Sequence, residues 1–162
     1  MVKSVSICKK NSIAIHPLAG VTILELMLVL GVIGILMAVA IPSYQEYLKK
    51  ADITKAIADI QSIEQNIIIF FTQNNYYPAD ADELGGLPDD PWGNPYVYLN
   101  FDNDKGKGKR RKDKNLVPIN TDFDLYSMGP DGRSVSPLTA KHSRDDIVRA
   151  HNGDFIGVAE DY

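Results

Sequence analysis

From Leu26 to Ile41 the chain carries no charged residue, and a single carboxylate, Glu25, stands at the head of that run. A membrane-spanning helix needs about 20 consecutive, predominantly apolar residues. A chain of 162 residues has room for one modest domain plus such a segment, and not for two full cores. Residues 21–45 therefore read as a membrane span that ends at Lys49-Lys50. Gly31 and Gly34 permit close approach of a neighbouring helix, and Pro42 removes one backbone donor near the end of the span.

Glu25 is costly in that setting, because an ionised carboxylate in hydrocarbon requires a partner. Nothing basic follows until Lys49, roughly 36 Å further along a helix rising 1.5 Å per residue, and Lys9 and Lys10 lie far upstream. The cation that fits is an α-amino group created by cutting after Gly20, on this chain or on another copy.

Charge is distributed unevenly. The first 20 residues hold Lys3, Lys9 and Lys10 and no acid, so the formal charge of -4 becomes -7 without them. A basic leader retained on the cytoplasmic side and an acidic, exported remainder agree with the positive-inside bias. An acidic remainder also makes nucleic acid an unfavourable partner. Cys8, the sole cysteine, lies in the leader, so no internal disulfide is available. An exported domain this small needs another staple, and a bound metal is the usual substitute.

Beyond Pro42 the pattern becomes amphipathic, with Ile53, Ile57, Ile60, Ile63 and Ile67 at three- and four-residue steps. The run Ile67-Ile68-Ile69-Phe70-Phe71 is apolar all round and is expected to be buried; Asn74, Asn75 and Pro78 then stop the helix. One helix of about 50 residues results. The rest is punctuated by Gly, Pro and Asp turns, with strand-like runs at Tyr96–Leu99 and Phe123–Ser127 separated by the basic loop Lys105–Lys114. The fold class is α+β, a small antiparallel sheet resting on the long helix. Three regions follow: a leader over 1–20, a long helix over 21–75 and a globular α+β region over 76–162.

Two other fates of the N-terminus remain open on these residues. Ala38-Val39-Ala40 is a small-x-small site at which a secretory signal would be cut before Ile41, releasing a soluble binding domain, and an uncleaved span would be a plain anchor. The basic loop reads as a solvated hairpin loop, or as a contact with acidic surfaces of neighbouring subunits; it has no interleaved aromatics for base stacking. Trp92, between Pro91 and Gly93, reads as a packing anchor. His142 and His151 lack metalloprotease spacing, no phosphate-binding glycine loop occurs, and the expectation is that the chain is not an enzyme.

Gly20-Val21-Thr22-Ile23-Leu24-Glu25 resembles the processing site of type IV pilins and type II secretion pseudopilins. Asp90-Pro91-Trp92-Gly93-Asn94-Pro95-Tyr96, Phe123 to Gly132 and Asp145-Asp146-Ile147 are similar to the major pseudopilin of type II secretion systems. The resemblance implies cleavage after Gly20 by a prepilin peptidase, methylation of Val21, and pairing of Glu25 with the N-terminal amine of a neighbouring subunit. It implies a homo-oligomeric helical filament in the periplasm, single-pass subunits drawn from the bacterial inner membrane, and minor pseudopilins and an inner-membrane assembly platform as partners. It also implies calcium held by the last loops, with side-chain ligand roles carried onto Asp131, Asp145 and Asp146. Calcium takes six to eight hard oxygens, which an Asp-Gly turn and an Asp-Asp pair supply in part. A type IV or competence pilus subunit is the neighbouring alternative.

Overall fold

The computed structural model describes residues 20–103, 108–115 and 117–162. The leader, with Cys8 and its three lysines, and residues 105–107 of the basic loop lie outside the described residues. Two compact units make up the chain, Met1–Pro42 and Ser43–Tyr162.

A single helix, α1, runs over Ile23–Asn74 with Pro42 inside it. Its start is set by Thr22, whose Oγ1 accepts the Glu25 N–H at 3.1 Å. Thr22-Ile23-Leu24-Glu25 thus has the T-x-x-E spacing of a capping box, one half of which is formed. Its end is set by two asparagines. Asn74 donates its side-chain amide to the Phe70 carbonyl at 2.9 Å. Asn75 takes the left-handed conformation, φ 63°, with its N–H on the Phe71 carbonyl at 2.7 Å. The expected stop at Asn74 and Asn75 is where the helix ends.

In the second unit α1 buries Ala56, Ile60, Ile63 and Ile67, one face at helical spacing. Ile53 and Ile57, expected on the same stripe, are only partly buried, and the buried face begins at Ala56. The run Ile67–Phe71 is not buried as a whole: Ile67 is, whereas Ile68 and Ile69 are 47% and 54% exposed. Successive helical residues point about 100° apart, so a sheet packed on one face covers Ile67 and leaves its two successors outside.

That sheet has four antiparallel strands in the order β1-β2-β3-β4: β1 Val97–Asn100, β2 Phe123–Ser127, β3 Ile147–Ala150 and β4 Phe155–Val158. Val97 lies opposite Tyr126, Tyr126 opposite Val148 and Val148 opposite Gly157. The first two strands stand where the sequence placed them, with β1 shifted by one residue; β3 and β4 are additional. Side-chain alternation divides the sheet. Phe123, Leu125 and Ile147 pack with Tyr96 against the helix. Val148 and Ala150 point the other way and pack with Ile119, Leu138 and Ala159 from the connections. Trp92 is partly buried against the helix-side core, the packing role expected of it. The architecture is α+β.

Candidate functional site

In the first unit, every described residue up to Pro42 is exposed. Leu24 is 77% and Ile35 70% exposed, although both are aliphatic. No atom lies within 4 Å of where a Cβ would stand at Gly31 or Gly34. This portion of α1 is long and apolar enough to cross a membrane. Glu25 lies in the first helical turn, where unpaired N–H groups and the helix dipole favour a negative charge. The helix start therefore supplies part of the compensation for which an α-amino group at Val21 was the expected source. Gly20 and Val21 precede the helix as exposed, non-helical backbone.

In the second unit the two turn motifs come together. Asp90 Oδ1 accepts the N–H groups of Trp92 and Asn94 at 3.1 and 2.8 Å, which fixes the Pro91-Trp92-Gly93 turn. Its Oδ2 accepts Ser127 Oγ at 2.5 Å. Asn94 in turn donates to the Gly129 carbonyl at 3.0 Å. Gly129 has φ 65°, and a Cβ there would stand 2.3 Å from the Asp145 carbonyl oxygen, so only glycine fits between β2 and the Asp145-Asp146 segment.

Two of the three carboxylates expected to hold calcium, Asp131 and Asp146, are engaged by other partners, and Asp145 is half-buried beside Gly129. Asp131 is an exposed turn residue; its Oδ1 accepts the Arg133 N–H at 2.8 Å and its Oδ2 lies 2.9 Å from His142 Nδ1. The His142 hydrogen bond holds its carboxyl below the usual range. Asp146 is fully buried, and its Oδ2 accepts both Arg111 Nη2 and Ser134 Oγ. Burial pushes the Asp146 carboxyl up to about 6, against the lowering by Ser134 and Arg111. Its Oδ1 has no hydrogen-bond partner among the described residues, and neither has Arg111 Nε. Among the described residues no three His, Cys, Asp or Glu side chains are grouped to hold a metal. At Asp146 one unclaimed carboxylate oxygen beside a guanidinium is a poor seat for calcium, which needs six to eight oxygens.

A second buried cation was not foreseen. Arg149 alternates with Ile147 on the helix side of β3 and is 2% exposed. Its Nε donates to Glu64 Oε1 of α1 at 2.6 Å, and Nη1 and Nη2 donate to the two Asp122 oxygens at 2.9 and 2.8 Å. Burial alone would lower its pKa, but the bonds to Asp122 and Glu64 outweigh that and raise it. The available signal was an arginine inside an apolar strand, which must be paired if buried.

Comparison with known proteins gives one consistent answer. No family model matches the chain, and no solved structure does. The chain is 31% identical over 138 residues to "Type II secretion system core protein G" of Aeromonas hydrophila, spanning 72% of this chain and 85% of that protein. It is 30% identical over 135 residues to the protein of the same name from Escherichia coli K12, spanning 70% and 82%. A third relative, "Type IV major pilin protein PilE" of Neisseria gonorrhoeae, is 33% identical over 66 residues, 41% of this chain. With the processing motif, the apolar helix and the sheet already in place, that identity across more than two thirds of the chain establishes that it belongs to the family of type II secretion system core protein G, the major pseudopilins.

Proposed function

We propose that the chain is a structural subunit of a type II secretion pseudopilus, made as a precursor, cut after Gly20 and assembled into a periplasmic filament that helps drive protein export. The observation that carries this reading is the first part of α1: an apolar helix whose side chains have no cover in the protein's own fold. Such a surface is stored in a membrane and is buried again when identical helices pack together, by a heterologous contact that does not close and so builds a filament. Single-pass insertion in the inner membrane places the acidic domain in the periplasm. A prepilin peptidase, minor pseudopilins and an assembly platform are the partners such a cycle requires. The role is structural, without catalysis.

The test is the intact mass and N-terminal sequence of the chain extracted from membranes. A start at methylated Val21 is expected. A start at Ile41 would mean a secreted domain, and an intact Met1 a plain anchor; either overturns the reading. The 66-residue match to a type IV pilin favours a second reading, a surface pilus subunit. Deleting the chain separates the two: loss of secreted enzymes with no loss of sheared surface fibres supports the pseudopilus.

A further inference from the structure

We propose that Arg111 is the built-in cation that closes the C-terminal loops of this domain onto Asp146, at the carboxylate where a bound metal was expected. Ile147 faces the helix, so Asp146, one residue earlier, points to the opposite side of the sheet, where it is fully buried. A buried carboxylate without a cation is strongly unfavourable. Arg111 comes from the loop between β1 and β2, 35 positions away in sequence, and its Nη2 reaches Asp146 Oδ2 at 2.5 Å. Its side chain is 5% exposed, and its guanidinium lies 4.6 Å from the Tyr126 ring centre, on the same face of the sheet. Its backbone is held as well: Arg111 N–H donates to Asp124 Oδ2 at 2.6 Å, and its carbonyl accepts the Ile119 N–H at 3.1 Å. The guanidinium is therefore placed by the fold.

The pair joins three segments. Arg111 belongs to the loop before β2, Ser134 to the connection after it, and Asp146 immediately precedes β3, and all three meet at Asp146 Oδ2. A cross-link of this kind restrains long connections in the way a metal or disulfide does. A divalent ion on the same carboxylate would sit against the guanidinium, and like charges at that range repel strongly in a buried site. Asp131, drawn off by His142 at the surface, contributes no third carboxylate.

The experiment is thermal unfolding of the full chain in detergent, followed by near-UV circular dichroism, in excess calcium and in EGTA. The wild-type chain is expected to melt at the same temperature in both. Arg111→Met is expected to lower the midpoint by roughly 10 °C or more in EGTA, since it strands Asp146. Adding Asp146→Asn to Arg111→Met is expected to recover part of that loss, because both ends of the pair are then neutral. A calcium-dependent rise in the wild-type midpoint overturns the proposal, as does an unchanged midpoint in Arg111→Met. Should Arg111→Met fail to fold, the wild-type comparison and the double variant still decide. None of these readouts depends on filament assembly, so failure here and failure of the pseudopilus reading are distinguishable.

Discussion

Arg149 occupies a position in β3 whose neighbours Ile147, Val148 and Ala150 are all buried, and it is tolerated there because three fixed groups meet it. Glu64 and Asp122 supply the carboxylates, and Phe123 lies under the guanidinium, 4.0 Å from its centre. The forked geometry matters, since Asp122 is held by both terminal nitrogens. Arg149→Met is therefore expected to cost roughly 3–5 kcal/mol, measured by urea unfolding, because two largely buried carboxylates lose their cation. Arg149→Lys, which keeps the charge and loses the fork, should remain clearly less stable than wild type. Gly153 belongs to the same constellation: at φ 102° a Cβ would stand 2.3 Å from Glu64 Oε1, the oxygen that Arg149 Nε holds. Gly153→Ala should accordingly cost about 1–3 kcal/mol in the same assay. At this scale Gly20, Val21 and Glu25 stand out in the sequence because the motif that singles them out is contiguous. Asp131, Asp145 and Asp146 were legible as unusual, but their partners were not. His142 is 11 positions from Asp131 and Arg111 is 35 from Asp146, and nothing in local pattern announces either pairing.

Elements reveal themselves in sequence to the extent that only one face is buried. The second part of α1 keeps Ile60, Ile63 and Ile67 at three- and four-residue steps, with Lys55, Asp59 and Glu64 between, so its helical period is visible. β2 shows through its aromatic and alternating residues. β3 hides because it is covered on both sides, by the helix through Ile147 and by the connections through Val148 and Ala150, so no alternation survives. β4, Phe155-Ile156-Gly157-Val158, is interrupted by a glycine, which weakens any strand pattern. The contrast between two isoleucines of α1 tests the helix face directly. Ile60 is fully buried in the core, so Ile60→Ala should cost roughly 2–5 kcal/mol. Ile69, more than half exposed, should change stability by no more than about 0.5 kcal/mol on the same substitution. Comparable losses at both positions in urea unfolding would mean that the sheet covers a different face from the one described.

For the whole molecule, the decisive asymmetry is that one unit carries its own core and the other, among its described residues, carries none. Ser43–Tyr162 buries Ile60, Phe123, Leu125 and Ile147 within itself, whereas the described residues of the first unit leave their apolar side chains exposed, as the proposed assembly with copies of the same chain requires. Glu25 is the charge on that surface, and two separable roles are proposed for it. As the fourth residue of Thr22-Ile23-Leu24-Glu25 it belongs to a helix-start motif in which Glu and Gln serve alike. As a charge it can pair with the amine released at Val21, and only the carboxylate serves there. Glu25→Gln keeps the first role and removes the second. If the charge sets subunit register, Glu25→Gln and Glu25→Ala should both be cleaved and inserted normally yet enter filaments about tenfold less well, a factor corresponding to ~1.4 kcal/mol per contact. The measurement is the amount of each variant recovered in sheared or overexpressed filaments relative to the membrane pool. Normal incorporation of Glu25→Gln, with Glu25→Ala defective, would assign Glu25 to the helix start alone and leave the register of the filament to shape.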